Sequence, residues 1–578
     1  METLAGIPAS PGIAAAPAFL LEGGDFAIPR RRILPGAVDA ERARLRRAFE
    51  EAAGELDALR RRAADGPAEV VGVLEAHGAI LRDPALVAQA ENAVRSNGWT
   101  PEWAVSSVLD GHADALVRLG DEYLAHRASD LRDIKHRVLR ALLGEREEAL
   151  ARMEGRVVVV ARDLTPSHAA TLDPRKVAGI VLDGGGPTSH TSIIARSLGI
   201  PAVVGAARAS IVVQPGTPVV VDGSRGLVVL DPDRATARRF EEIAAAYAER
   251  RVEVLRVRRL PAETRDGHRI TLLANVERPS EVPAALGAGA EGVGLLRTEF
   301  LVRPGERLPT EEDHFRSYRE AVHHLDGRPL VVRTLDLGAD KVNPDPEASR
   351  EPNPFLGRRS LRLCLERPDI FVPQVRAILR ASELGDVRVL LPMVASVNEL
   401  LRAREVFEAE RARLVREGVR PRADLPLGMM VEVPSAAVAA DVLARHAAFF
   451  SIGTNDLIQY ALAVDRVNPR VAHLFEPMHP GVLRLIARVV QAARAQGIEV
   501  SICGELAGDP LYSMLLVGLG VRVLSMGTPS LPEVKQVVRA GTMEDAWRLA
   551  EDVRALSDGP AIEACVRQRM RELVPVLF

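Results

Sequence analysis

The stretch "EGVGLLRTEF" (residues 291–300) runs an apolar segment straight into an arginine, a threonine and a glutamate. The same form recurs through the C-terminal half. The runs are "HRITLLANV" (268–276), "PLVVRTLDLG" (329–338), "DVRVLLPMV" (386–394), "LGMMVEVP" (427–434), "AAFFSIGTND" (447–456), "IEVSICGE" (498–505) and "VRVLSMG" (521–527). With residues 291–300 they make eight β-forming segments separated by helix-patterned sequence. Such alternation predicts a (β/α)8 barrel over 261–578, with parallel strands closed inside a ring of helices.

In that fold the loops at the C-terminal strand ends carry the chemistry. Applied to the eight runs, the rule selects Asn275, Arg297 with Glu299, Arg333 with Asp336, Met393, Glu432, Asn455 with Asp456, Cys503 with Glu505, and Ser525. The loops add Lys341, Arg359 from "NPFLGRRSLRL" (353–363) and Arg466 from "AVDRVNP" (463–469). One rim thus collects cations, acids and a thiol. Converging guanidinium groups suit a multiply charged anion, because their planar forks match phosphate and carboxylate oxygens. Any one of these arginines could instead pair with a neighbouring acid. Glu432 and Asp456 end adjacent strands and offer the hard oxygens that suit Mg²⁺. Alone, either would more often be a helix cap or an arginine partner. A lone cysteine is usually a small core hydrophobe, but beside cations the proton of Cys503 becomes exchangeable.

Working back toward the N-terminus, residues 231–263 read "DPDRATARRFEEIAAAYAERRVEVLRVRRLPAE", a helical arm over 231–260. Before it, "GIAAAPAFLL" (12–21), "GRVVVVA" (155–161), "VAGIVLD" (177–183) and "TPVVVDGSRGLVVL" (217–230) read as strands of a small α/β domain spanning 1–22 and 146–230. Between them, "DAERARLRRAFEEAAGELDALRRRAA" (39–64) and "LVRLGDEYLAHRASDLRDIKHRVLRALLGE" (116–145) carry helical periodicity, so 23–145 is expected to be an inserted helical domain. The α/β part also holds "GGGPTSHTSIIARSLGIPAVVG" (184–205). There the spacing predicts a helix starting at His190 and ending at Gly199. A helix N-terminus disfavours the imidazolium and welcomes an anion, which keeps the ring neutral and nucleophilic. A histidine in a Gly-rich turn can equally be a simple cap. A metal role is poorly supported, since no second histidine stands at ligand spacing.

The chain has 578 residues, 47% of them hydrophobic, and a net charge of −3 from 75 basic and 78 acidic side chains. That is enough for several cores and gives no global field for nucleic acid or an anionic membrane. Three scattered cysteines and no apolar run long enough to span a bilayer suggest a cytoplasmic protein without disulfides. Only four lysines occur, Lys135, Lys176, Lys341 and Lys535.

Residues 184–205 resemble the phosphohistidine signature of the PEP-utilising enzymes. "GLLRTEFL" (294–301), "RTLDLGADK" (333–341), "NPFLGRR" (353–359), "GMMVEVPSA" (428–436), "SIGTNDLIQY" (451–460) and "CGELAGDP" (503–510) are similar to barrel motifs of the Enzyme I family of the bacterial sugar phosphotransferase system. "GIPASPGIA" (6–14) and "EAHGAILRDPAL" (75–86) extend the likeness toward the start.

The resemblance implies a phosphoenolpyruvate:protein phosphotransferase in which His190 accepts the phosphoryl group. It assigns Arg297, Arg333, Arg466, Lys341 and Asn455 to the substrate phosphate and carboxylate, and Arg359 to the matching family arginine. It further makes Glu432 and Asp456 the Mg²⁺ ligands and Cys503 the proton donor to enolpyruvate. The helical insertion would dock the carrier protein HPr, and the barrel would form a homodimer. Two departures stand out: His168 and Ala169 follow "LTPS", where the family commonly has an acid and a threonine, and Ala339 replaces a glycine. The alternatives are a dikinase or synthase type of PEP enzyme, which would need a nucleotide domain with a Gly-rich phosphate loop, and a regulatory paralogue, for which a sensory domain would be expected ahead of Met1.

Overall fold

In the segment Val157–Ala161, Val157, Val159 and Ala161 join one apolar cluster, while Val158 and Val160 join another. This two-residue alternation marks a strand covered on both faces. It belongs to the first of two compact units, Met1–Glu249 and Arg250–Phe578, in a computed structural model. The structure describes all residues except 22–27, 29, 63–67, 119–121, 145–154, 165–167, 169–171, 187–189, 303–306, 339–352, 467, 469 and 576.

The first unit contains strands β1 (Glu2–Ala5), β2 (Ile7–Ser10), β3 (Ile13–Leu21), β4 (Val157–Ala161), β5 (Val177–Leu182), β6 (Ala202–Val204), β7 (Pro218–Asp222) and β8 (Leu227–Leu230). They form one sheet in the order β1-β8-β7-β3-β4-β5-β6-β2. The pairs β3-β4-β5-β6 are parallel and the remaining pairs antiparallel. Of these, β1, β2 and β6 are not expected from the sequence; at three or four residues each they are too short to show alternation.

Helices α1 (Val38–Arg62), α2 (Ala68–Leu81), α3 (Pro84–Asn97), α4 (Pro101–Arg118) and α5 (Glu122–Leu143) follow β3. Their apolar residues, among them Leu45, Leu56, Leu109 and Val138, belong to the same cluster as one face of the sheet. His77, from the motif at 75–86, is buried on α2. Its ring nitrogens lie 3.1 Å from Asp130 and 3.4 Å from Asp133 of α5, so it ties the two helices together. Helix α6 (His190–Leu198) follows β5, and α7 (Arg234–Arg256) realises the helical arm over 23 residues, ~35 Å at the helical rise.

The second unit contains β9 (Thr271–Val276), β10 (Val293–Leu296), β11 (Leu330–Arg333), β12 (Val387–Leu391), β13 (Leu427–Val431), β14 (Phe449–Ile452), β15 (Glu499–Ile502) and β16 (Val523–Gly527). All neighbours are parallel, and β16 pairs with β9 to close the barrel. The expected (β/α)8 fold is therefore the observed one. Along β10, Val293 and Leu296 pack with the surrounding helices, whereas Leu295 joins Val331, Leu390, Met430, Phe449 and Cys503 in a small separate cluster that fills the lumen. Lys535 is buried, and its ammonium donates to the carbonyls of Arg258 and Gly289, each at 2.8 Å. A cation there complements the carbonyl ends of two short helical segments, which gives this lysine a structural task.

Candidate active site

Eight of the ten expected site residues, six from strand ends and two from the loops, line one cavity of about 590 Å³ at the C-terminal mouth of the barrel. Arg297, Arg333, Arg359, Glu432, Asn455, Asp456, Arg466 and Cys503 all line it. Lys341 lies outside the described residues, and His190 belongs to the other unit.

Arg333, at the end of β11, is held between Glu299 (3.1 Å) and Asp336 (2.9 Å). Arg359 reaches the other Asp336 oxygen at 3.0 Å. Burial alone would push the Asp336 carboxyl up, but the two guanidinium groups hold it down at about 2. Burial likewise opposes the charge on Arg333 and Arg359, yet the facing carboxylates keep both arginines above their usual range. The arginines are thus paired and remain able to bind: the Nε of Arg333 and one Nη of Arg466 are buried without a hydrogen-bond acceptor. An anion with several oxygens would satisfy them. Arg297, more open, pairs with Glu277 at 3.0 Å.

Glu432 is 2% exposed, and its carboxylate accepts from the backbone N–H of Met393 at 2.6 Å. Met393 adopts a left-handed φ of 55° to present that donor. A Cβ on Gly453 would stand 2.7 Å from the other Glu432 oxygen, so glycine leaves room for the carboxylate. Burial pushes the Glu432 carboxyl up to about 8, reinforced by the negative charges of Asp336 and Asp456. Asp456 lies 3.8 Å from Arg359 and 3.6 Å from Arg466, and one of its buried oxygens accepts no hydrogen bond. A buried carboxyl that keeps its proton beside two other acids, and an orphan oxygen on one of them, fit a hard divalent cation, which would replace that proton. Among the described residues no group of three or more His, Cys, Asp and Glu side chains forms a complete metal cage. A cation here would draw further ligands from substrate and water, as suits Mg²⁺.

Asn455 and Glu505 bond reciprocally, at 3.1 Å through the side-chain amide and 3.0 Å through the Glu505 N–H. The carbonyl of Cys503 accepts from Asn275 at 2.9 Å, and Asn275 accepts from Ser525 at 2.6 Å. These strand-end polar residues fix the backbone that carries the thiol. Burial pushes the Cys503 thiol up to about 11, outweighing the opposing influence of Ser451, Arg333 and Arg297. The neighbouring cations therefore do not make it a thiolate at neutral pH. It stands as a protonated acid.

Sequence reading does not single out Glu277, Gln459 or Tyr460. The Gln459 side chain accepts the backbone N–H of Arg466 at 3.2 Å. Tyr460 donates to the Phe355 carbonyl at 2.5 Å and accepts from Arg359 at 3.4 Å. For Gln459 and Tyr460 the only signal is membership of the motif at 451–460, and Glu277 stands one residue past the run at 268–276.

In the other unit, α6 begins at His190 as its spacing predicts. The Thr191 hydroxyl donates to the Leu164 carbonyl at 2.9 Å and the Ser192 hydroxyl to the Gly186 carbonyl at 2.7 Å, pinning the first turn to the loops around it. Arg196 donates to the Ala9 carbonyl of β2 at 2.8 Å, joining α6 to the "GIPASPG" segment. The His190 side chain and Ala169 lie outside the described residues, while His168 is half-buried.

Residues 5–127 match the PEP-utilising enzyme N-terminal family, 153–226 the PEP-utilising enzyme mobile domain, and 251–543 the PEP-utilising enzyme PEP-binding domain. A phosphoenolpyruvate-protein phosphotransferase from Priestia megaterium is 42% identical, over 93% of this chain and 94% of the relative. One from Geobacillus stearothermophilus is 40% identical over 98% of both chains. One from Bacillus subtilis (strain 168) is 38% identical over 99% of this chain and 100% of the relative.

Proposed function

The chain belongs to the PEP-utilising enzymes, and from that membership we propose that it acts as a phosphoenolpyruvate-protein phosphotransferase, moving the phosphoryl group of PEP to His190 and then to the carrier HPr. The observation that carries the reading is the barrel-mouth cavity, where four arginines, an asparagine, six carboxyl groups and a protonated thiol meet, Glu432 and Asp456 among the six.

Arg297, Arg333, Arg359 and Arg466, with Asn455 and Lys341, would bind the phosphate and carboxylate of PEP. The buried N–H groups of Arg333 and Arg466 that lack an acceptor would gain one from those oxygens. Glu432 and Asp456 would hold Mg²⁺, which when bound supplies further neutralisation of the phosphate charge. In the transfer, the bond from phosphorus to the enol oxygen breaks and a bond from phosphorus to an imidazole nitrogen of His190 forms. The electron pair left on the enolate then takes the Cys503 proton at the methylene carbon, giving pyruvate. The thiol is suited to this because burial keeps it protonated until a carbanion-like centre faces it. Solvent restores the proton afterwards.

The helical block is proposed as the HPr-docking domain, the barrel as the surface of a homodimer, and the cytoplasm as the location. Among the described residues no helix is long and apolar enough to cross a membrane. Incubating the full chain with radiolabelled PEP and Mg²⁺ should place acid-labile label on the protein and pass it to HPr. The His190→Ala variant should take up none; label persisting on that variant would move the phosphosite elsewhere.

A further inference from the structure

Helix Thr454–Leu462 begins at the mouth of β14 and carries two site residues in its first turn, Asn455 and Asp456. One turn later, at helical spacing from Asp456, come Gln459 and Tyr460. We propose that Gln459 and Tyr460 are positioning residues that aim two substrate-binding arginines, Arg466 and Arg359, from this one helix. The inference rests on the assignment of PEP to the barrel mouth.

The two arginines reach the cavity from different loops, and each is tied back to this helix. Gln459 is 4% exposed, and its side-chain oxygen accepts the backbone N–H of Arg466 at 3.2 Å. The backbone carbonyl of the same residue accepts from Val464 at 3.0 Å, so the chain turns tightly between helix and arginine. On the other side, the Tyr460 hydroxyl donates to the carbonyl of Phe355 and accepts from Arg359. The Arg359 guanidinium sits 5.6 Å from the centre of the Phe355 ring, and Asp336 holds its other end. The Tyr460 hydroxyl therefore fixes both the loop that carries Arg359 and the guanidinium itself. Neither Gln459 nor Tyr460 appears among the residues lining the cavity, which separates positioning from substrate contact.

The test measures single-turnover labelling of the full-length chain against PEP concentration with Mg²⁺ present. Tyr460→Phe keeps the ring and removes only the hydroxyl; Gln459→Leu keeps the volume and removes the acceptor. Each should raise the half-saturating PEP concentration about five- to ten-fold while the limiting rate falls less than about two-fold. The same substitutions are then made in Arg359→Ala and Arg466→Ala backgrounds. Tyr460→Phe should add less than about two-fold once Arg359 is truncated, and Gln459→Leu likewise once Arg466 is truncated, because the aimed group is gone. Equal effects in both backgrounds would mean that the two residues act generally on the fold and would overturn the inference. A single variant whose labelling curve matches wild type would overturn it for that residue. Failure of the wild-type chain to take label from PEP would instead sink the assignment of the substrate, so the two failures are told apart.

Discussion

Replacing Glu432 by glutamine should stabilise the metal-free protein while abolishing its activity. Burial and two nearby carboxylates hold the Glu432 carboxyl at about 8, against 4.5 for a free glutamate. Below pH 4.5 the group is neutral in both folded and unfolded chains and has no effect. Between 4.5 and 8 the unfolded chain releases this proton and the folded chain keeps it, so rising pH favours unfolding by about 1.4 kcal/mol per pH unit. By pH 7 the accumulated loss is about 3 kcal/mol. Glutamine removes that loss and keeps an oxygen for the Met393 N–H, but buries an amide N–H₂ with incomplete partners, which costs about 1 kcal/mol. The net gain of about 2 kcal/mol corresponds to roughly 3 °C for a unit of this size. Thermal melts of both proteins in chelator, from pH 5 to pH 8.5, should show the variant ahead at high pH, with the gap closing or reversing near pH 5. Mg²⁺ should then raise the melting temperature of the wild type and leave the variant almost unmoved. A variant that melts at or below wild type at pH 8 would refute the raised Glu432 carboxyl on which this rests.

The Cys503→Ser variant should lose at least about 100-fold in transfer from PEP while exchanging phosphoryl groups with phosphorylated HPr at a near-normal rate, because only enolpyruvate needs a carbon protonated and a hydroxyl is a poorer acid than a thiol; equal losses in both half-reactions would make the cysteine structural. Lys341→Arg should weaken PEP use several-fold, since a planar fork replaces a compact ammonium, and near-normal kinetics would reduce the lysine to a compositional accident. A fragment ending at Leu260 keeps His190 and helices α1 to α6 but none of the barrel arginines. It should fold, accept label from phosphorylated HPr and stay inert toward PEP; rapid labelling of it by PEP alone would remove the barrel from the mechanism.

The barrel was legible because most strands are apolar runs that stop at a polar residue, and β10, ending at Leu296 just before Arg297, is the plainest instance. The apolar run of β4 was equally visible, though its division between two clusters was not. The strands β1, β2 and β6 were not, because three or four residues bounded by glycine or proline show no period. At the mouth, Arg333 and Asp336 could be read from their strand-end positions, but their sharing of charge with Arg359 could not, since the partner comes from a distant loop. Gln459 and Tyr460 act on a backbone N–H and a backbone carbonyl, and such contacts leave no trace in residue spacing. The acid form of Cys503 was also hidden. Sequence places cations near it, whereas the outcome is set by how completely water is excluded.

At this mouth Met393 with φ 55° and Ser360 with φ 54° hold left-handed backbone beside an acid of the site. The Ser360 hydroxyl bonds to Asp336, as the Met393 N–H bonds to Glu432. Both conformations are ones that unconstrained chains avoid. The barrel's walls therefore relax toward their best packing while its opening stays locally frustrated, with each tension anchored on an acid of the site. An engineer selecting this protein for heat resistance would find the easiest gains where they do the most harm, in substitutions that let these two turns and their carboxylates settle. Improvements compatible with turnover should come instead from the outer helices, whose sequences are free to change without touching the residues that face the opening.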